Sequence, residues 1–325
     1  MSPIRRILVA VKDPGARHSV AIAKATQLAL GLKAELCLFH AMADPIYLDV
    51  ETLNGRSPEE LARESISRSR ERLARLALKA PRAVSVTTDV EWDYPTHEAV
   101  MRAAAGFKAG LIVAECHGAH IAPWLLHFTD WELLRHSRIP VLLVKNRRPY
   151  RRPVVLAAVD PEQAKAAGLD DEILRYGRTV AGALRGVLHA VHAYSPQVID
   201  MSAGKFATAR GLAEARAEGA AAAHAVVDPR LRAAGIPQSR RHLVDGFAVD
   251  VIQDVAQEIH AQIVVMGAMS RSGLRRLLIG NTAERMLDRI ACDVLIVKPR
   301  QFPDRTPRRP RGPRFVAIRP VGVMH

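Results

Sequence analysis

Gly267, Ser270, Gly280, Asn281 and Thr282 fall in one short stretch whose residue types suit phosphate. The apolar run Ile263-Val264-Val265-Met266 has the pattern of a buried strand and stops at Gly267. A loop rich in small residues follows, and Gly280 leads into a helix that starts near Thr282. Small residues let backbone N–H groups approach an anion closely, and a helix N-terminus adds unpaired donors and a partial positive charge. Arg271, Arg275 and Arg276 lie in the same stretch and either face phosphates or are solvated. Each feature also has a purely structural explanation. Asn281 with Glu284 forms a capping box, Gly267 gives a tight strand exit, and the Ser270 side chain either crowds a phosphate or bonds one.

The elements that would hold this stretch occur twice. Ile7-Leu8-Val9-Ala10-Val11 resembles Val155-Leu156-Ala157-Ala158-Val159, and Leu38-Phe39-His40-Ala41 resembles Val187-Leu188-His189-Ala190. Gly110–Ala114 resembles Ala261–Val265, and Pro140–Lys145 resembles Asp293–Lys298, all in the same order. Two copies of one domain are therefore expected at residues 1–148 and 152–300, joined by the Arg- and Pro-rich stretch Asn146–Pro153.

Within each copy, short aliphatic runs that do not alternate with polar residues read as strands buried on both faces, and helical patterns lie between them. In the first copy the strands fall at about 4–11, 34–41, 83–90, 110–115 and 140–145, and in the second at about 153–159, 186–193, 239–243, 262–266 and 293–298. Ser57-Pro58-Glu59-Glu60 carries the signature of a capping box with Pro in the first helical turn. Strand–helix alternation requires parallel strands with right-handed crossovers. The fold class is α/β, with two tandem doubly wound parallel-sheet, Rossmann-like domains. Ligands of such sheets sit beyond the carboxyl ends of strands, where the strand order reverses.

With these elements in place, the chain resembles the universal stress protein family, whose nucleotide motif is Gly, two residues, Gly, nine residues, Gly, then Ser or Thr. Gly267 and Gly280 match the first and third glycines at the family's spacing, while Ser270 replaces the second and Asn281-Thr282 replaces the final Ser or Thr. Asp160, after Ala157-Ala158-Val159, matches the acidic residue that holds the ribose in the family. The resemblance spans about residues 4–300 and is nearest to the tandem, universal stress protein E-like type, in the Gly280–Glu284 and Thr129-Asp130-Trp131 runs. It implies an adenine nucleotide alpha hydrolase-like fold, a stress-response role, a cytoplasmic location, and ATP or a related adenine nucleotide as ligand. The nucleotide-binding set is then Asp160, Gly267, Ser270, Gly280, Asn281 and Thr282. The family also pairs domains through their last strands, so the two repeats are expected to form an intramolecular pseudo-dimer. A homodimer is the alternative assembly.

The first copy makes a poorer site. Ala114-Glu115-Cys116-His117-Gly118 stands where the second has Met266–Ser270, and Thr129-Asp130 stands where the second has Gly280-Asn281. An acid at a helix entrance serves as a cap but repels phosphate. Asp13 before Pro14 is a displaced ribose ligand or a turn residue.

Other chemistry has little foothold. No Walker A loop, nucleophile-elbow serine or His-Glu-x-x-His motif occurs. Cys116, His117 and His120 lack a second ligand group at zinc spacing, so no metal is assigned. Cys37, Cys116 and Cys292 read as reduced thiols, and His40 and His189 as packed structural histidines. No apolar run is long enough to span a membrane. No catalytic acid–base pair can be named. The expected function is a non-catalytic nucleotide-binding or interaction module with unidentified protein partners. The alternatives are a slow ATPase on the same fold and a scaffold that binds no nucleotide.

The formal net charge of +14 is uneven, with about +6 on the last 26 residues. Residues 301–325 mix arginines with five prolines, and are expected to form a disordered basic tail. Nucleic acid would meet this tail only nonspecifically, since no stacking aromatics or reader module accompany it.

Overall fold

The computed structural model describes residues 4–48, 56–116, 128–161, 168–194, 209–268, 287, 289–307 and 309–317. The chain divides into two compact units. One comprises Ser2–His117, Trp124–Val141 and Asp304–His325, and the other Met1, Gly118–Pro123 and Leu142–Pro303.

The first unit contains β1 (Arg6–Ala10), α1 (Val20–Leu32), β2 (Glu35–Met42), β3 (Ile46–Leu48), α2 (Pro58–Ala77), β4 (Val86–Trp92), α3 (Thr96–Gly106), β5 (Leu111–Glu115) and α4 (Phe128–His136). Its main strands lie in the order β4-β2-β1-β5. The pairs are parallel, with Leu8 opposite Cys37 on one side and Ile112 on the other. Ile7, Leu8, Val9, Leu36, Leu38, Leu111, Ile112 and Val113 have no exposed surface. Such two-sided burial explains why these strands are continuous aliphatic runs. The capping box at α2 is present: Ser57 Oγ accepts the Glu60 N–H, and Glu60 accepts the Ser57 N–H.

β6 (Val141–Val144) straddles the division, and its residues from Leu142 belong to the second unit. That unit continues with β7 (Val154–Ala158), α5 (Leu169–Ala183), β8 (Val187–Tyr194), α6 (Ala209–Ala233), β9 (Arg241–Asp245), α7 (Ala248–Glu258), β10 (Ile263–Gly267) and β11 (Asp293–Val297). The strand order is β6-β11-β10-β7-β8-β9. Pairing is parallel from β11 through β9.

Pairing register corrects one match between the repeats. Ala10 lies opposite Phe39 and Ala158 opposite Val191. The counterpart of Phe39-His40 is therefore Val191-His192 and not Leu188-His189. Equal spacing along the chain misplaced the match because the helix between these strands has 13 residues in the first copy and 15 in the second, and the connections around it also differ in length.

The Asn146–Pro153 stretch is anchored and does not behave as a bare linker. Asp293, with no exposed surface, accepts the N–H groups of Lys145 and Asn146 at 2.9 Å and the Tyr150 hydroxyl at 2.5 Å. A buried carboxylate requires such donors.

The segment after Pro303 differs more sharply from its expectation as a disordered tail. Within the first unit, the Arg311 and Gly312 N–H groups donate to Asp93 Oδ1 at 2.8 and 3.2 Å. The Arg311 guanidinium reaches Glu98 at 3.0 Å, and that of Arg314 stacks 3.9 Å from the Tyr94 ring centroid. Phe315–Ala317 forms β12, which pairs in parallel with β3. Asp93 is fully buried and also receives the Arg102 guanidinium. Composition argued for disorder because the segment is poor in apolar surface. The ordering instead comes from specific donors delivered to a buried charge, which composition does not report.

Candidate functional site

The strand order reverses once in each unit. In the second, the chain moves outward from β7 to β8 and β9, then returns to β10 and β11 on the other side of β7. The reversal lies between β7 and β10, whose register sets Ala157 opposite Val265. Asp160 follows β7 and Gly267 ends β10, so the sequence-predicted ribose ligand and first loop glycine flank the carboxyl-end crevice where such sheets take ligands. Ser270, Gly280, Asn281 and Thr282, with Glu284 and the three loop arginines, lie outside the described residues.

The surroundings of Asp160 hold groups that sequence reasoning missed. Its N–H donates to Asp170 Oδ1 at 3.0 Å. Asp170 sits in the first turn of α5, is 3% exposed, and receives Arg230 Nη1 at 3.4 Å on its other oxygen. Burial raises the Asp170 carboxyl above the ordinary aspartate value, against the pull of the Asp160 N–H and Arg230. The buried His192 has Nδ1 3.1 Å from the Val159 carbonyl oxygen. Lys298, 6% exposed, donates to the Ala268 carbonyl at 3.2 Å and lies over the Phe302 ring. Asp170 was legible only as one of three consecutive acids opening a helix. Asp170 and Glu172 are both buried, and nothing in their spacing tells that Asp170 is the one that meets the Asp160 N–H.

Gly267 has a packing role of its own. A Cβ at this position would lie 2.4 Å from Leu169 Cδ2 and 2.9 Å from its Cγ. The glycine lets the first residue of α5 close over the end of β10.

The first unit reverses between β1 and β5. Glu115 ends β5 at the place of Gly267 and accepts the Ser19 hydroxyl at 3.3 Å, while Ser19 Oγ caps α1 through the Ile22 N–H. A carboxylate thus stands at this crevice. Asp13 Oδ1 accepts the Gly15 N–H at 2.7 Å, which is a turn role. His40 Nδ1 is 2.7 Å from the Val11 carbonyl oxygen, repeating the contact of His192 with Val159. Both histidines close the gap between the first and second strands of their repeat. Thr129 and Asp130 fall in the opening turn of α4. Among the described residues, no group of three His, Cys, Asp or Glu side chains is placed to hold a metal.

Comparison with known proteins agrees with the repeat. The model of the universal stress protein family matches residues 3–145 and again 152–298. A universal stress protein E homolog from Haemophilus influenzae is 35% identical over 182 residues, covering 54% of this chain and 57% of that relative. The aligned region thus spans little more than half of that relative's length. Universal stress protein E of Salmonella typhi is 24% identical over 311 residues, covering 93% and 96% of the two chains. Among solved structures, a functionally unknown protein from Pseudomonas aeruginosa PAO1 has 25% identity and a TM-score of 0.64, over 91% of this chain and 93% of that one. A universal stress protein from Archaeoglobus fulgidus shares the fold at 16% identity and a TM-score of 0.59, over 90% and 98%. With two copies of the family's domain in register with its two internal repeats, the chain belongs to the universal stress protein family, in the tandem, universal stress protein E-like arrangement.

Proposed function

We propose that this chain is a stress-response protein whose second repeat binds ATP or a related adenine nucleotide without a dedicated catalytic base. The observation that supports this reading is the placement of Asp160 and Gly267 on the two sides of the strand-order reversal, at the carboxyl ends of adjacent parallel strands. In this reading the Asp160 carboxylate accepts ribose hydroxyl protons. The Gly267–Ser270 loop and the Gly280-Asn281-Thr282 helix entrance supply N–H and side-chain donors to phosphate. The first repeat, with Glu115 in place of the glycine, does not share this role.

Family membership supports a cytoplasmic setting. The two tandem domains favour a pseudo-dimer within one chain. Isothermal titration of ATP into the wild type, Asp160→Ala and Gly280→Val tests the nucleotide reading. One ATP-binding event of the wild type that is lost in both variants is expected. An isotherm unchanged in both variants, or no binding at millimolar nucleotide, counts against this assignment and leaves the scaffold alternative. Phosphate release above background would favour the slow ATPase.

A further inference from the structure

The first unit holds a cleft that the nucleotide reading does not use. It has a volume of about 470 Å³ and lies between the Asp13–Arg17 loop after β1 and the carboxyl-terminal part of α2. This falls within the roughly 300–1,000 Å³ of small-molecule sites. Pro14 and Leu76 are buried beneath it, and Arg17, Arg72, Arg75 and Lys79 surround it. Asp13 is the lone carboxylate among the lining residues, and its Oδ1 is already occupied by the Gly15 N–H.

The basic residues on and beside α2 form two groups. Towards the N-terminal half, Arg56 and Arg68 pair with Glu64, and Arg63 donates to the Glu59 carbonyl. Arg17, Arg72 and Arg75 have no ion-pair partner among the described residues. The loop is tied to the helix, since Lys79 Nζ donates to the Arg17 carbonyl at 2.7 Å. Arg72 lies against the loop, with Nη1 3.8 Å from where a Cβ on Gly15 would be. Four cations are therefore gathered around one concavity, with Asp13 the single carboxylate among its lining residues. Placing like charges together costs free energy unless an anion is shared between them.

We propose that this cleft binds a small anion carrying two or more linked phosphates. The guanidinium groups of Arg17, Arg72 and Arg75 supply forked donors that match phosphate oxygens, and Lys79 adds a point charge. One phosphate satisfies one or two of these groups, whereas linked phosphates reach across the cleft. Inorganic triphosphate and the phosphate chain of a nucleotide share this chemistry.

Isothermal titration of the full chain in about 50 mM salt, where screening is weak, tests the site with inorganic triphosphate, ATP and adenosine. Triphosphate is expected to bind the wild type and Asp160→Ala equally. Arg72→Ala/Arg75→Ala should weaken it at least about tenfold, as loss of charge-assisted bonds implies. Arg63→Ala, on the other half of α2, should leave it unchanged. ATP binding to Asp160→Ala that is tighter than triphosphate, and is lost in the double arginine variant, would identify a nucleotide as the occupant. Equal affinity would identify the phosphates alone. Adenosine should not compete at this cleft. All four arginine and lysine side chains are exposed, so the variants should keep the wild-type unfolding midpoint. Absence of triphosphate binding at millimolar concentration, or binding undiminished in the double variant, overturns the proposal. Neither outcome bears on Asp160 and Gly280, so the two sites fail or stand separately.

Discussion

Leu169 fills the space that a side chain on Gly267 would need: its Cδ2 lies 2.4 Å from the position of the missing Cβ. The first glycine of the loop thus has a packing role, since a side chain there would have to displace Leu169, whether or not a phosphate approaches it.

Gly267→Ala should therefore destabilise the fold by about 1–3 kcal/mol through overpacking. Leu169→Ala removes the obstructing atoms, so adding it to Gly267→Ala should cost less than the sum of the two single changes. Urea unfolding of the three variants measures the coupling. Strict additivity would show that the close approach does not constrain the residue.

Removal of residues 304–325 should lower the unfolding midpoint. The loss takes two N–H donors from the buried Asp93, an effect of about 2 kcal/mol, or roughly 4–8 °C for a domain of this size. Burial works against the Asp93 charge, but the Arg311 N–H and the Arg102 guanidinium outweigh it and hold the carboxyl below its usual value. A carboxylate lowered in the fold stabilises it at every pH above the unfolded value, and that contribution fades as pH falls towards the folded one. The truncation penalty should accordingly stay constant from pH 8 to about 5 and shrink below about 4. Differential scanning of both chains across this range checks it. An unchanged midpoint at pH 7 would mean that the segment is not held.

Mild acid should weaken the fold before the carboxylates respond. Burial depresses His40, His97, His189 and His242, and the charge of His242, stacked 5.3 Å away, lowers His189 further. Bases with lowered folded values bind fewer protons than the unfolded chain just below about pH 6.5, so stability drops as pH falls through that window. Urea midpoints at pH 7.5 and 5.5 should differ in that direction, and His189→Asn/His242→Asn should reduce the difference.

Thiol labelling should separate the three cysteines. Burial, with the Asp293 charge beside it, pushes Cys292 up to about 12, and burial also raises Cys37. Cys116 is half-exposed. Under native conditions a thiol reagent should modify Cys116 and spare the other two until the protein unfolds, because the thiolate is the reactive form. Rapid modification of all three would contradict the packing around β2 and β11.

The sequence alone determined the doubling, the α/β class and most of the strands. Buried parallel strands must be aliphatic on both faces, and this leaves a mark such as Ile7-Leu8-Val9 or Ile263-Val264-Val265 that needs no tertiary information. The cap at Ser57 and Glu60 was legible for the same reason, since its partners lie within one turn. Gly267 was named by the spacing of the family's motif and Asp160 by resemblance to the acid that closes the family's first strand, and the strand order then set them on either side of one crevice. Tertiary structure decided what depends on distant partners. It set His192 and not His189 opposite Val159, turned Asp170 inward and assigned Leu169 to Gly267. It also gathered Arg17 with Arg72 and Arg75 and brought the Arg311 and Gly312 N–H groups to Asp93. Those groups are separated by tens to hundreds of residues along the chain. Their energies come from desolvation and donor geometry in the folded state, which local patterns of hydrophobicity and charge do not encode.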